Sequence, residues 1–171
     1  MRAAALVVSA ISFLLAAHAP AQAAQSLSER AKRDEVKHMA ANEPAMRRAM
    51  DQAKATLDNF LRIASAPPPG TTGFALKVAV SDKKNTEYFW VGDFLPTAQG
   101  FEGTLSNEPR LVKKYYNGER FEFSRAQVVD WVFRDENRGR MLGNYTGCAL
   151  LTKEPPAQAK AFQREHGLQC D

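Results

Sequence analysis

The sequence predicts an α+β domain: one long N-terminal helix packed on a twisted antiparallel sheet of about five strands, followed by a short C-terminal helix. Three observations point there. From Asn42 to Ser65, apolar residues recur at spacings of three and four. After it come several short runs in which apolar and polar residues alternate, separated by turn residues. Last, Pro155-Pro156 and Gly167 bracket a helical pattern over Ala157 to His166. Such a sheet can stay open or curl into a barrel-like form, and the pattern leaves both possible.

The chain has 171 residues. Arg2 precedes an almost unbroken apolar run from Ala3 to Ala17, Pro20 breaks it, and Ala21-Gln22-Ala23 offers the small-x-small pattern of a cleavage site. Residues 1–23 therefore read as a secretory signal peptide. The run is shorter than the roughly 20 residues of a spanning helix, and no second long apolar run follows, so no membrane span is expected. Cleavage near Ala23 implies a periplasmic or secreted protein. About 150 residues then remain, enough for one domain with a core. Loss of the single charge of Arg2 takes the formal charge from +4 to +3. That mild, mixed balance suits solubility and does not argue for nucleic acid.

Residues 24–41 are charged and poor in large apolar side chains, and read as a flexible or loosely helical leader, with Asp34-Glu35-Val36 as a short edge element. Residues 42–171 form the single domain. Its first helix has Asn42 as N-cap and Pro44 in the first turn. Met46, Met50, Ala53, Leu57, Phe60, Leu61 and Ala64 make the buried stripe. Glu43 with Arg47, and Asp58 with Arg62, are placed for i,i+4 pairing, worth about 0.2–0.5 kcal/mol each. Pro67-Pro68-Pro69-Gly70 ends the helix.

Phe74, Leu76, Val78 and Val80 then alternate on a strand from Phe74 to Ser81. Asp82 to Asn85 is a polar turn. In the strand from Glu87 to Phe94, Phe89 and Val91 face the core, and Tyr88 and Trp90 point the other way. Phe101 to Leu105 is a third strand. Asn117-Gly118 signals a hairpin joining Leu111–Tyr116 to Glu119–Phe123. Gln127 to Arg134 is another strand, ended by the turn Asp135 to Gly139. Asn144 to Thr152 suits either a last strand or a helix capped by Asn144. The two cysteines, Cys148 and Cys170, are read as a disulfide tethering the C-terminal helix. Its loop of about 22 residues is worth roughly 3 kcal/mol in the chain-entropy model.

Chemistry is sparsely signalled. His38 lies in the leader and His166 at the end of the last helix, neither in an expected cleft, so Ser-His-Asp and Cys-His arrangements lack a base. Metal-ligand spacings and phosphate-cradling glycine loops are absent from the pattern, and no cofactor or metal is expected. Asp130 sits on a strand apolar on both faces, with Val128 and Val132 on its own side and Val129, Trp131 and Phe133 on the other. A carboxylate there reads as a structural acceptor of backbone N–H bonds or as a tuned acid. Glu87 and Asp93 lie about 20 Å apart along one strand, too far for a catalytic pair. Tyr88, Trp90 and Trp131 form either an aromatic binding wall or core beneath the helix. Lys113, Lys114, Arg120, Arg125, Arg134, Arg138 and Arg140 interleave with acids and read as a solvated surface.

Asp34-Glu35-Val36, Met46 with the Ala53–Phe60 helix, Glu87-x-x-Trp90-Val91, Gly103-x-Leu105-x-Asn107-x-Pro109, Gly118, Asp130-Trp131 and Gly143-Asn144-Tyr145-Thr146 occur in this order. The series resembles the YegJ-like bacterial domain family and spans about Asp34 to Leu151. That family is a domain of unknown function, so the resemblance implies a single domain and no reaction. Its pattern often has an Arg two residues after the Tyr-Thr pair. This chain has Cys148 there, which fits a disulfide in an exported branch. The candidate binding residues are Tyr88, Trp90, Asn107, Asp130, Trp131, Asn144 and Tyr145. The function expected is a small exported, non-enzymatic binding protein acting on an envelope protein or cell-wall component, with toxin neutralisation as a special case. A carboxylate-dependent hydrolase of an envelope polymer, centred on Asp130, is the alternative.

Overall fold

The structure is a computed structural model that describes residues 26–32, 39–83 and 85–170. The predicted signal peptide and Asp34-Glu35-Val36 lie outside the described residues. The elements are α1 (Leu27–Lys32), α2 (Pro44–Ser65), β1 (Thr71–Ser81), β2 (Thr86–Pro96), β3 (Phe101–Leu105), β4 (Arg120–Phe123), β5 (Val128–Asp135), β6 (Arg140–Gly143), α3 (Tyr145–Leu151) and α4 (Pro156–His166). The six strands form one sheet in the order β4-β3-β2-β1-β5-β6, and every neighbouring pair is antiparallel. β4 and β6 are its two ends, so the sheet is open and not barrel-like.

The stripe on α2 buries Met46, Ala49, Ala53, Leu57 and Phe60. Pro44 lies in the first turn, but the N-cap is Glu43 and not Asn42, with no side-chain cap bond. The Glu43 carboxylate instead accepts from Lys153 Nζ at 2.6 Å and from the Ala40 amide at 3.1 Å. Asp58 likewise pairs with Arg125, at 2.7 Å, in place of its helical neighbour Arg62. Both acids find partners brought by the tertiary fold.

β1 places Leu76, Val78 and Val80 beneath α2, and β2 adds Phe89 and Val91, all buried. Phe60 is the centre of the packing. Its ring lies 5.0 Å from Trp131, 6.0 Å from Phe74, 5.9 Å from Phe94 and 6.3 Å from Phe133. β5 departs from simple alternation: Lys77 opposes Asp130, yet the next residue, Val78, opposes Val128. Val129 is the extra residue of a bulge, which turns Val128 toward the core shared by Trp131 and Phe133.

Only the second arm of the hairpin expected at Asn117-Gly118 is a strand. β4 pairs with β3, while residues 111–116 form a loop. The reason is a side chain: Glu87 accepts the amides of Arg110, Leu111 and Val112, each at 2.9 Å, which draws them out of any ladder. Gly118 holds the turn with φ +86° and donates its amide to the Leu105 carbonyl at 2.8 Å.

β6 was not among the expected strands. It returns from the polar turn and pairs with β5, Val132 opposite Gly143. Gly143 has φ +79°, and a Cβ there would run into the carbonyl and ring of Trp131. The ambiguous segment after it is helical. Cys148 of α3 is bonded to Cys170, with Cα atoms 5.4 Å apart, which ties α3 to the chain leaving α4. Gly167 stops α4 in the left-handed conformation. α1 falls within the expected leader and packs Leu27 against Leu151, Ala159 and Leu168. No helix among the described residues is long and apolar enough to cross a membrane.

Candidate functional site

Strand register decides which side chains meet on the sheet face turned away from Leu76 and Trp131. Lys77 of β1 is flanked by Trp90 of β2 and Asp130 of β5. Its ammonium lies 5.4 Å from the centre of the Trp90 ring, within cation–π range. It donates to Thr146 Oγ1 at 3.0 Å, and that hydroxyl donates to Asp130 Oδ2 at 2.6 Å. A lysine, a threonine and an aspartate thus form one chain of hydrogen bonds across β1, α3 and β5.

Asp130 is 0% exposed. Its Oδ2 also takes the Thr146 amide at 2.7 Å, and its Oδ1 takes the amides of Trp131 at 2.8 Å and Tyr145 at 3.3 Å. Every partner is a donor, which is the surrounding an ionised carboxylate requires. Burial pushes its carboxyl above the ordinary value, and the Thr146 and Trp131 bonds and the Lys77 charge oppose that. Lys77 is pushed down from its ordinary value by burial, against the attraction of Asp130. Asp130 also caps α3. Asn144 stands at the N-cap with φ 53° and no side-chain cap bond, so the first free amides of the helix turn to a carboxylate on another strand.

Beside this chain the edge of β2 is sealed. Asn107 Oδ1 accepts the Trp90 amide at 2.6 Å, and the Ser106 amide donates to the Trp90 carbonyl at 2.8 Å. Burial acts to raise the Glu87 carboxyl, but its bonds from Val112, Arg110 and Leu111 outweigh this and hold it low. Between the sealed edge and the helices opens a cleft of about 620 Å³. Met46 and Met50 of α2, Leu150 of α3 and Met39 supply its apolar lining. Lys77, Tyr88 and Thr146 supply its polar side, and Asn107, Glu108, Arg110 and Leu111 also border it.

Residues 43–170 match the family described as "Uncharacterized protein conserved in bacteria (DUF2314)". The chain belongs to that family. A curated relative, "Uncharacterized protein YegJ" of Escherichia coli (strain K12), is 29% identical over 116 residues, 67% of this chain and 72% of the relative. No solved structure matches. The YegJ-like resemblance read from the motifs is therefore a family relationship. The matched span runs from the cap of α2 to Cys170, and so takes in the hydrogen-bond chain, the disulfide and the cleft apart from its Met39 and Ala41 side.

Within this member of the family, Tyr88, Trp90, Asn107 and Asp130 are gathered around Lys77. Trp131 and Tyr145 are not. Trp131 lies in the core, its Nε1 donating to the Ala53 carbonyl and Thr56 Oγ1, each at 3.1 Å. Tyr145 meets the Trp131 ring edge-on at 5.5 Å. Asn144 donates to Met141 Sδ at 3.6 Å. The aromatic wall of Tyr88, Trp90 and Trp131 is thus divided between two faces of the sheet. Lys77 and Thr146 escaped the sequence reading because a lysine alternating with core residues reads as solvated. The small neighbours on its own face, Ala75 and Ala79, were the available signal, since they leave room for a helix to approach.

His166 is also engaged. Ser28 Oγ lies 3.0 Å from His166 Nε2, and Glu165 Oε1 lies 3.8 Å from the same nitrogen. A catalytic triad needs serine and acid on opposite nitrogens, so this cluster does not have that form. Among the basic residues of the second half, Arg120 pairs with Glu102, Arg134 with Glu136 and Arg138 with Asp135. Among the described residues no group of three His, Cys, Asp or Glu side chains could hold a metal ion.

Proposed function

We propose that this family member is an exported, non-enzymatic binding protein whose cleft receives an envelope component bearing an apolar group. One observation carries the reading. The two carboxylates nearest the Lys77 side of the cleft are already saturated by donors, Asp130 by three amides and a hydroxyl and Glu87 by three amides. A carboxylate-dependent hydrolase needs an oxygen free to take or give a proton. The methionines beside them favour binding, because flexible thioethers mould to varied apolar shapes. Export is supported by the N-terminal signal pattern and by the Cys148–Cys170 bond, a kind of link that persists in oxidising compartments.

The test uses the mature chain purified from the exported fraction. Its N-terminus should lie near Ala24, and alkylation before reduction should find no free thiol. A neutral apolar fluorophore, phenylnaphthylamine, should bind saturably, and Met50→Asp should weaken it by about tenfold or more. Absence of saturable binding refutes the binding reading. Hydrolysis of an envelope polymer that Asp130→Asn abolishes at unchanged thermal stability would put the hydrolase first.

A further inference from the structure

We infer that the cleft takes a free alkyl monocarboxylate, with its carboxylate on the Lys77 ammonium and its chain along Met46, Met50 and Leu150; this rests on the binding reading above.

An ammonium carries three donors. That of Lys77 has one hydrogen-bond acceptor, Thr146 Oγ1, and otherwise the face of Trp90. It is half-buried and borders the cleft, so its remaining donors are within reach of an acceptor on a molecule in the cleft. Asp130 cannot serve directly, because its oxygens are turned to Thr146, Tyr145 and Trp131. Burial already disfavours the charge on Lys77, and an anion beside it removes that penalty. Glu87, also on the cleft, is held by the amides of Arg110, Leu111 and Val112, while Glu108 and Arg110 are exposed and carry one charge of each sign.

The apolar part of the occupant follows from the lining. Three methionines and a leucine offer nothing to a polar chain and adapt readily to a flexible alkyl one. A volume of about 620 Å³ lies in the range of small-molecule sites. A peptide ending in a carboxylate has the same head group, but to add to β2 as a strand its main chain would need a free edge there. Here both main-chain groups of Trp90 are taken, by Asn107 and Ser106. A fatty acid needs no such edge.

The experiment displaces phenylnaphthylamine from the mature wild-type chain with dodecanoate, methyl dodecanoate, dodecanol and a short peptide with a leucine carboxy terminus. Dodecanoate should compete at least about tenfold better than its ester or alcohol, in keeping with a charged hydrogen bond. In Lys77→Gln the fluorophore should still bind while that preference disappears, and Lys77→Met should behave alike. Equal competition by acid, ester and alcohol on the wild type overturns the inference and leaves the binding reading standing. A peptide that competes as well as dodecanoate also overturns it. Failure of the fluorophore itself to bind removes the binding reading, and the inference with it. The wild-type arms decide the matter even if neither Lys77 variant folds.

Discussion

The two faces of the central sheet solve opposite problems. Beneath α2, Phe60, Trp131, Phe74 and Phe133 stack ring on ring, and the Trp131 N–H is answered by α2 itself. Stability on that side comes from area removed from water and from close contact. Across the same strands, one residue along, lie Lys77 and Asp130. Stability there depends on whether each donor and acceptor is answered, since paired buried charges roughly break even and unpaired ones are costly. A face packed with rings has nothing left to offer a ligand. A face built on hydrogen bonds can be complete at one end, at Asp130, and incomplete at the other, at Lys77.

The sharpest way to break the apolar face is Phe60→Ala. It leaves a cavity among four rings and should cost about 3–5 kcal/mol in denaturant unfolding. A loss below about 1 kcal/mol would mean that α2 is not held as described. The polar face should yield to Asp130→Leu, which strands the amide and hydroxyl of Thr146 and leaves Lys77 without its counter-charge, at about 3 kcal/mol. Asp130→Asn keeps the shape and one acceptor oxygen and should cost roughly half of that. Equal losses for Asn and Leu would show that charge, not hydrogen bonding, holds α3.

Cys170→Ala probes the layer outside both faces. It should cost about 2–3 kcal/mol, and hydrogen exchange should quicken first in α4. Uniform quickening would place the tether's effect on the whole domain. Smallest of all, Glu87→Gln should cost about 1 kcal/mol through its three amide bonds. It also has a pH signature. The folded Glu87 carboxyl sits below its ordinary value, so the unfolded chain binds the proton more readily. Its contribution is present above the ordinary carboxyl range and is lost as pH falls through the folded value. Wild type should therefore lose more stability than Glu87→Gln between about pH 5 and pH 3. Asp130, raised by burial, acts with the opposite sign and is common to both proteins, so the difference isolates Glu87. Parallel acid titrations of the two would show that the loop amides do not hold that carboxylate.

Much of the apolar face could be read from residues in order. The spacing of Met46, Ala53, Leu57 and Phe60 defines a helix stripe, and Phe74, Leu76, Val78 and Val80 define a strand face, because both patterns repeat within a few residues. The ends of α4, from Pro156 to Gly167, and the strand Phe101–Leu105 were legible for the same reason. Asp130 was legible as either an acceptor of backbone bonds or a tuned acid, because a carboxylate between apolar neighbours has few other fates, and the structure gives it three amides. Its partners were not, since Thr146 lies sixteen residues away in a segment that suited helix and strand equally.

Local periodicity and turn chemistry were thus enough for an α+β domain with α2 on the sheet, for the polar turn that joins β1 to β2 and for a cysteine pair able to bond. Partner choice was settled by assembly. β4 joined β3 because Glu87 had drawn the rival segment away, Val128 turned inward through a bulge at Val129, and α3 became a helix capped by Asp130. The cleft beside Lys77 exists only because α2, α3, β1 and β2 meet there. A repeating pattern records which face of an element is apolar. It carries no record of which distant group will satisfy a given amide, carboxylate or ammonium, and that pairing is what made the polar face.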